Sequence, residues 1–189
     1  MELAERNILE QLISRIISRS PVPEDSGHSR NTLKWMLHLV PDADAALRLA
    51  ALGHDIERAY GNRRVRKSDY GTFDEYKAAH ALNSAAILGE VLTEYGSEQA
   101  LIDEVEVLVG KHEFGGTPRS DQLKWADSLS YFDNNLVQYA LRHSQEEIVH
   151  RVEWGLRRLP EHLREIVHKM EFADSELVRL VLHEISKLK

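Results

Sequence analysis

Ala45-Ala46-Leu47-Arg48-Leu49-Ala50-Ala51-Leu52-Gly53-His54-Asp55 is the stretch on which the fold turns. Its apolar side chains recur at three- and four-residue intervals and never alternate, the pattern of a helix with one face in a core. Two adjacent polar residues then close a run of apolar and small ones, an unusual place for them. Outward from this segment the same spacing continues almost throughout the chain, so the expected class is all-α. The spacing predicts helices over about Leu3 to Ser18, His28 to Leu39 and Ala45 to Arg58, the last capped by Asp42 or Asp44. After a polar loop, Tyr60 to Thr72, further helices run from about Phe73 to Tyr95 and Glu98 to His112. Gly96 and the Gly115-Gly116-Thr117-Pro118 loop stop these two. A sixth starts near Asp121, passes through Asp127 and continues past Asn135; Ser144, Pro160 and Asp174 mark three more starts.

The 189 residues suit a single compact multi-helix domain, with a core of about 26–135 and additional C-terminal helices over about 144–188. Hydrophobic residues at 42% and charged residues at 29% match a soluble globular protein, and no apolar run is long enough to span a membrane. The start, Met1-Glu2-Leu3-Ala4-Glu5-Arg6, lacks the basic residues and apolar block of a secretory leader, so a cytoplasmic location is expected. Cysteine is absent, which excludes disulfides, thiolate metal sites and a cysteine nucleophile together. Any metal must therefore sit on imidazole and carboxylate. With 24 basic against 31 acidic side chains the net charge is −7, which argues against long nucleic acids as partners and leaves a small anion at a local basic patch.

His54 and Asp55 project about 100° apart on a helix, so the imidazole can serve one metal while the carboxylate also reaches a second. A His-Asp pair alone is a weak signal among 10 histidines, and polar residues at a helix end are its plain reading. The context strengthens it. His28 opens the preceding helix after a Pro-containing loop, and Asp127 interrupts what is otherwise an apolar face in Leu123-Lys124-Trp125-Ala126-Asp127-Ser128-Leu129. His38, His143, His150, His162, His168 and His183 have charged neighbours and no partner at matching spacing, the pattern of solvated faces.

On His28, His54-Asp55 and Asp127, taken in that order, the chain resembles the HD-domain superfamily of metal-dependent phosphohydrolases. The resemblance covers roughly residues 26 to 135, including Gly27-His28-Ser29-Arg30-Asn31-Thr32 and Ala51-Leu52-Gly53-His54-Asp55-Ile56-Glu57-Arg58. A subset of that superfamily adds two histidines and a second metal, and His80 and His112 fall in the matching interval. The resemblance implies one ion on His28, His54, Asp55 and Asp127 and another on Asp55, His80 and His112. Core or outer histidines around a single metal are the alternative for His80 and His112. The implied cofactors are divalent ions, two in number, of Mn, Fe, Ni, Co, Mg or Zn.

The resemblance implies a phosphomonoesterase or phosphodiesterase acting on a small phosphorylated metabolite or a nucleotide, by attack of a metal-bound hydroxide on phosphorus. Arg58 occupies the position where many members place a lysine that approaches the phosphate. It opens the densest basic stretch, Arg58-Ala59-Tyr60-Gly61-Asn62-Arg63-Arg64-Val65-Arg66-Lys67, for which a solvated loop is the other reading. Asp55 and Arg58 are thus the catalytic candidates, and Arg58, Arg63, Arg64, Lys77 and Lys111 the substrate-binding ones. Arg119 is a further cation of interest, and Glu57 reads first as a carboxylate on a helix face, with a proton acceptor or a partner behind the ligands as the alternatives. The same ligand set also supports, by resemblance, a di-iron oxygenase or a nucleotide sensor without turnover.

Overall fold

The computed structural model of the protein describes residues 2–172 and 175–187, and no strand occurs among them. The chain is all-α, as its periodicity requires. Helices α1 (Leu3–Ile17), α2 (Asp25–Leu39), α3 (Ala45–Gly53), α4 (Phe73–Tyr95), α5 (Gln99–Gly110) and α6 (Pro118–Ser130) follow in order. A π-helical turn over Tyr131–Asn135 leads into α7 (Leu136–Ala140), then α8 (Gln145–Arg157), α9 (Glu161–His168) and α10 (Ser175–Ser186). The helix start expected at Asp174 lies outside the described residues. No helix among those described is long and apolar enough to cross a membrane.

The caps explain several boundaries. Asp44 accepts a hydrogen bond from the Leu47 N–H at 3.1 Å and starts α3. Thr72 and Glu75 form a reciprocal capping box on α4, and Gly96, at φ 87°, ends that helix in the left-handed region that glycine adopts without strain. Ser144 and Glu147 repeat the box on α8. Helix α6 begins at Pro118 rather than near Asp121, because proline fits the first helical turn and the Thr117 hydroxyl accepts from the Ser120 N–H at 3.2 Å.

The chain divides into two compact units, Met1–Asp127 and Ser128–Lys189. The first takes in α1, which lies ahead of the span expected for the core. Helix α3 is its centre: α1, α2 and α5 pack on it, and only Ala45 and Arg48 of its residues are not buried. The second unit has its own small core, in which Phe132 sits against Gly155 at a distance that leaves no room for a Cβ.

Helix α3 stops at Gly53, five residues short of the expected end at Arg58, and a 3-10 turn over Ile56–Ala59 follows. Between the two, Asp55 leaves helical geometry at φ −106°, ψ 17°. Adjacent side chains that an ideal helix would splay apart are thereby brought to one place. Gly53 allows α4 to approach, since a Cβ there would stand 2.5 Å from Leu88 Cδ2. A Gly53→Val substitution is expected to destabilise the fold by about 1–3 kcal/mol through overpacking, read as a lowered urea midpoint, because α3 and α4 cannot separate without disturbing the core.

Candidate metal centre

Five segments of the first unit bring histidines and carboxylates together. His28 comes from α2, His54 and Asp55 from the end of α3, His80 from α4, His112 from the turn after α5, and Asp127 from α6; all six are buried. His28 Nε2 lies 3.1 Å from His54 Nε2 and 3.0 Å from Asp127 Oδ1, which is 3.5 Å from His54 Nε2. Asp55 faces this group with one oxygen and a second group with the other. Its Oδ2 is 3.7 Å from His54 Nε2 and 3.9 Å from His28 Nε2, while Oδ1 is 2.7 Å from His80 Nε2. The imidazoles of His54, His80 and His112 stand edge to face, with ring centres 5.2 and 5.5 Å apart.

The outward nitrogens are fixed by the fold. A carbonyl can only accept, so His54 Nδ1 donates to the Ala51 carbonyl at 3.0 Å and His112 Nδ1 to that of Val109 at 2.7 Å. His80 Nδ1 is 2.7 Å from Glu57 Oε1, and Asn83 Nδ2 donates to Glu57 Oε2 at 2.5 Å. Glu57 is fully buried, and its work is to hold the His80 ring rather than to line a helix face.

Charge follows the same layout. Burial alone would lower the pKa of His54, but the Asp55 and Asp127 carboxylates outweigh it and push it up to about 9. Burial likewise opposes protonation of His80, and hydrogen bonds that the ring donates to Asp55 and Glu57 reverse it, so His80 is raised. His112 is lowered, by burial first and by the neighbouring His54 and His80 charges, against the pull of Glu113. Asp55 would be raised by burial, yet Arg58, His54 and His80 hold it well below the usual carboxylate range.

These residues fit a divalent cation. Two donors about 2.1 Å from one ion stand roughly 3.0–3.4 Å apart at octahedral to tetrahedral angles, and the separations among His28, His54 and Asp127 are 3.0, 3.1 and 3.5 Å. His28 Nε2 and His54 Nε2 stand 3.1 Å apart, close enough to share a proton in the chain alone or to share a cation in its place. Among the described residues, three triads have ligand atoms within 4.8 Å of one another: His28, His54 and Asp127; Asp55, His80 and His112; and His112, Glu113 and Asp127. Imidazole and carboxylate without thiolate suit the harder and borderline divalent metals.

The basic candidates part company. Arg58 is anchored at the centre, with Nη1 2.9 Å from Asp25 Oδ1 and 3.0 Å from Asp55 Oδ2, and those two carboxylates overcome burial to raise its pKa further. Lys77 is buried and ion-paired with Glu113. Arg63 is exposed and bound to Glu90, and Arg64 is exposed in the same loop. Lys111 is exposed and lines a shallow groove between α4 and α5 with Leu82, Asp103 and Val107. These last three stand outside the buried cluster. Arg119 pairs with Asp44 and Glu104. Sequence reasoning missed Asp25 and Glu113; the available signals were an acid one helical turn before His28 and another directly after His112.

Replacing Arg58 by Ala leaves the buried Asp25 carboxylate without its charged donor, and a loss of about 1.5–3 kcal/mol in unfolding free energy is expected. A Glu57→Gln variant should stay folded but bind Mn²⁺ at the His80 position about 10- to 100-fold more weakly, read by calorimetric titration, because the ring loses its orienting charge.

Over residues 12–181 the chain matches the family described as a domain of unknown function (DUF4202). No curated protein and no solved structure matches it. The matched span holds all six clustered residues together with Asp25, Glu57, Lys77 and Glu113. Because the match runs from α1 into α10, the protein belongs to the DUF4202 family.

Proposed function

We propose that the protein is a metal-dependent phosphohydrolase of the HD type, a phosphomonoesterase or phosphodiesterase acting on a small phosphorylated metabolite or nucleotide. The observation that carries this reading is the division of the Asp55 carboxylate, whose two oxygens face two separate groups of imidazoles. The ligand order His28, His54-Asp55, Asp127, with His80 and His112 between, supports it from the sequence side.

In this reading His28, His54, Asp55 and Asp127 hold one ion, and Asp55, His80 and His112 the other. Divalent ions there supply Lewis acidity to a phosphoryl oxygen and acidify a water molecule, so the chain needs no serine or cysteine nucleophile. The protein's own groups do the positioning. The carbonyls of Ala51 and Val109 and the Glu57 carboxylate hold Nδ1 of their histidines, which turns each Nε2 inward. Arg58 keeps a permanent positive charge beside Asp55, where it can take up negative charge spread over a phosphoryl group in the transition state.

The test is a panel of phosphorylated metabolites assayed for phosphate release or ester cleavage by metal-reconstituted protein under nitrogen. Turnover without oxygen is the expected result; turnover that requires oxygen would establish the oxygenase reading instead. His54→Ala and Asp55→Ala should abolish it along with metal retention, while Arg58→Ala should lower turnover about tenfold or more. Wild-type turnover in either ligand variant with Mn²⁺ added would overturn the assignment. Saturated wild-type protein should hold about two ions per chain by elemental analysis, and His80→Ala about one.

A further inference from the structure

We propose that Glu113 is a seventh ligand of this centre and that Lys77 is an internal cation which a metal ion displaces from it. The inference rests on the cluster being a metal centre and adds a ligand that the HD-type set does not include.

Glu113 directly follows His112 in the turn after α5, and its side chain is 1% exposed. Its Oε1 lies 3.3 Å from His112 Nε2, within the separation of two donors on one ion, and it forms a triad with His112 and Asp127 inside 4.8 Å. His112 and Asp127 belong to the two different groups joined by Asp55. Glu113 therefore adds a carboxylate where the two groups meet, and its oxygens are hard donors suited to the same ions as Asp55 and Asp127.

The Lys77 ammonium supplies the second, independent observation. It projects from α4, is itself buried, and contacts Glu113 Oε1, the same oxygen that faces His112. A carboxylate and an ammonium withdrawn from water are each costly unless matched, so Lys77 stabilises Glu113 while no metal is bound. A divalent ion at His112, Glu113 and Asp127 would compete with that ammonium for one atom. Entry of the ion and departure of Lys77 from Oε1 are then linked, and removing Lys77 must favour the metal.

The measurement is calorimetric titration of Mn²⁺ into the metal-free full-length chain, with Mn²⁺ electron paramagnetic resonance to count bound ions. Glu113→Gln is expected to weaken the most weakly held ion by about tenfold or more, and Lys77→Met to tighten it by about tenfold. The double variant should follow Glu113→Gln, since Lys77 has nothing left to block. Thermal unfolding gives a parallel reading: Lys77→Met should melt below wild type without metal and gain more from Mn²⁺ than wild type does. If Lys77→Met is too unstable to handle, Lys77→Gln keeps a polar side chain and carries the same expectation. Unchanged or weaker Mn²⁺ binding after loss of Lys77, or unchanged binding after Glu113→Gln, would overturn the proposal, even with His54→Ala losing its metal as expected. A wild-type chain that binds no Mn²⁺ would overturn the metal-centre reading as well.

Discussion

The buried carboxylate of Asp55 organises the first unit of this protein. An ionised acid withdrawn from water has to be matched by charge from its surroundings. Arg58 reaches it from the following 3-10 turn, His54 from the preceding residue and His80 from α4. Each partner is held in turn by something behind it: Arg58 by Asp25, His54 by the Ala51 carbonyl and His80 by Glu57. The helices thus converge on one atom group through two layers of contacts, and the break of α3 at Gly53 allows His54 and Asp55 to face it together.

Around that carboxylate the acids outweigh the permanent cations. Asp25, Asp55, Glu57, Glu113 and Asp127 are buried, against the guanidinium of Arg58 and the ammonium of Lys77. A proton on His54, whose pKa its carboxylate neighbours push up to about 9, reduces the deficit in the chain alone, and His80 is drawn in the same direction. Such a group is an unfavourable way to fill a core if stability were its only role, since apolar side chains of similar volume would serve better. It is a favourable way to hold multivalent cations, because the electrostatic cost of assembling the acids is met by folding before the ion arrives.

Much of this was legible in the sequence. Helical spacing placed α4 to the residue, and Asp44, Thr72-Glu75, Gly96 and Ser144-Glu147 act through contacts a few residues long, so local chemistry suffices to read them. His28, His54, Asp55, His80, His112 and Asp127 could be singled out from their positions among apolar neighbours and from the ligand order of a superfamily. The folded chain brings those six together.

Other features depended on which helix faces which, and one-dimensional periodicity does not contain that. His28 meets Asp127 across 99 residues, and Arg58 meets Asp25 across 33. Sequence reading took Lys77 with Lys111, Arg63 and Arg64 as similar cations, yet burial separates Lys77, paired with the buried Glu113, from the other three, which are exposed. Glu113 reads in sequence as one acid among many before a glycine turn; its meeting with Lys77 and Asp127 arises from the packing of α4, α5 and α6. The sequence by itself determined the helical class, most helix spans and the residue types able to bind a cation, because these follow from local backbone and side-chain chemistry. Tertiary packing alone decided which charges are buried and which are paired, because those depend on distances between segments far apart in the chain.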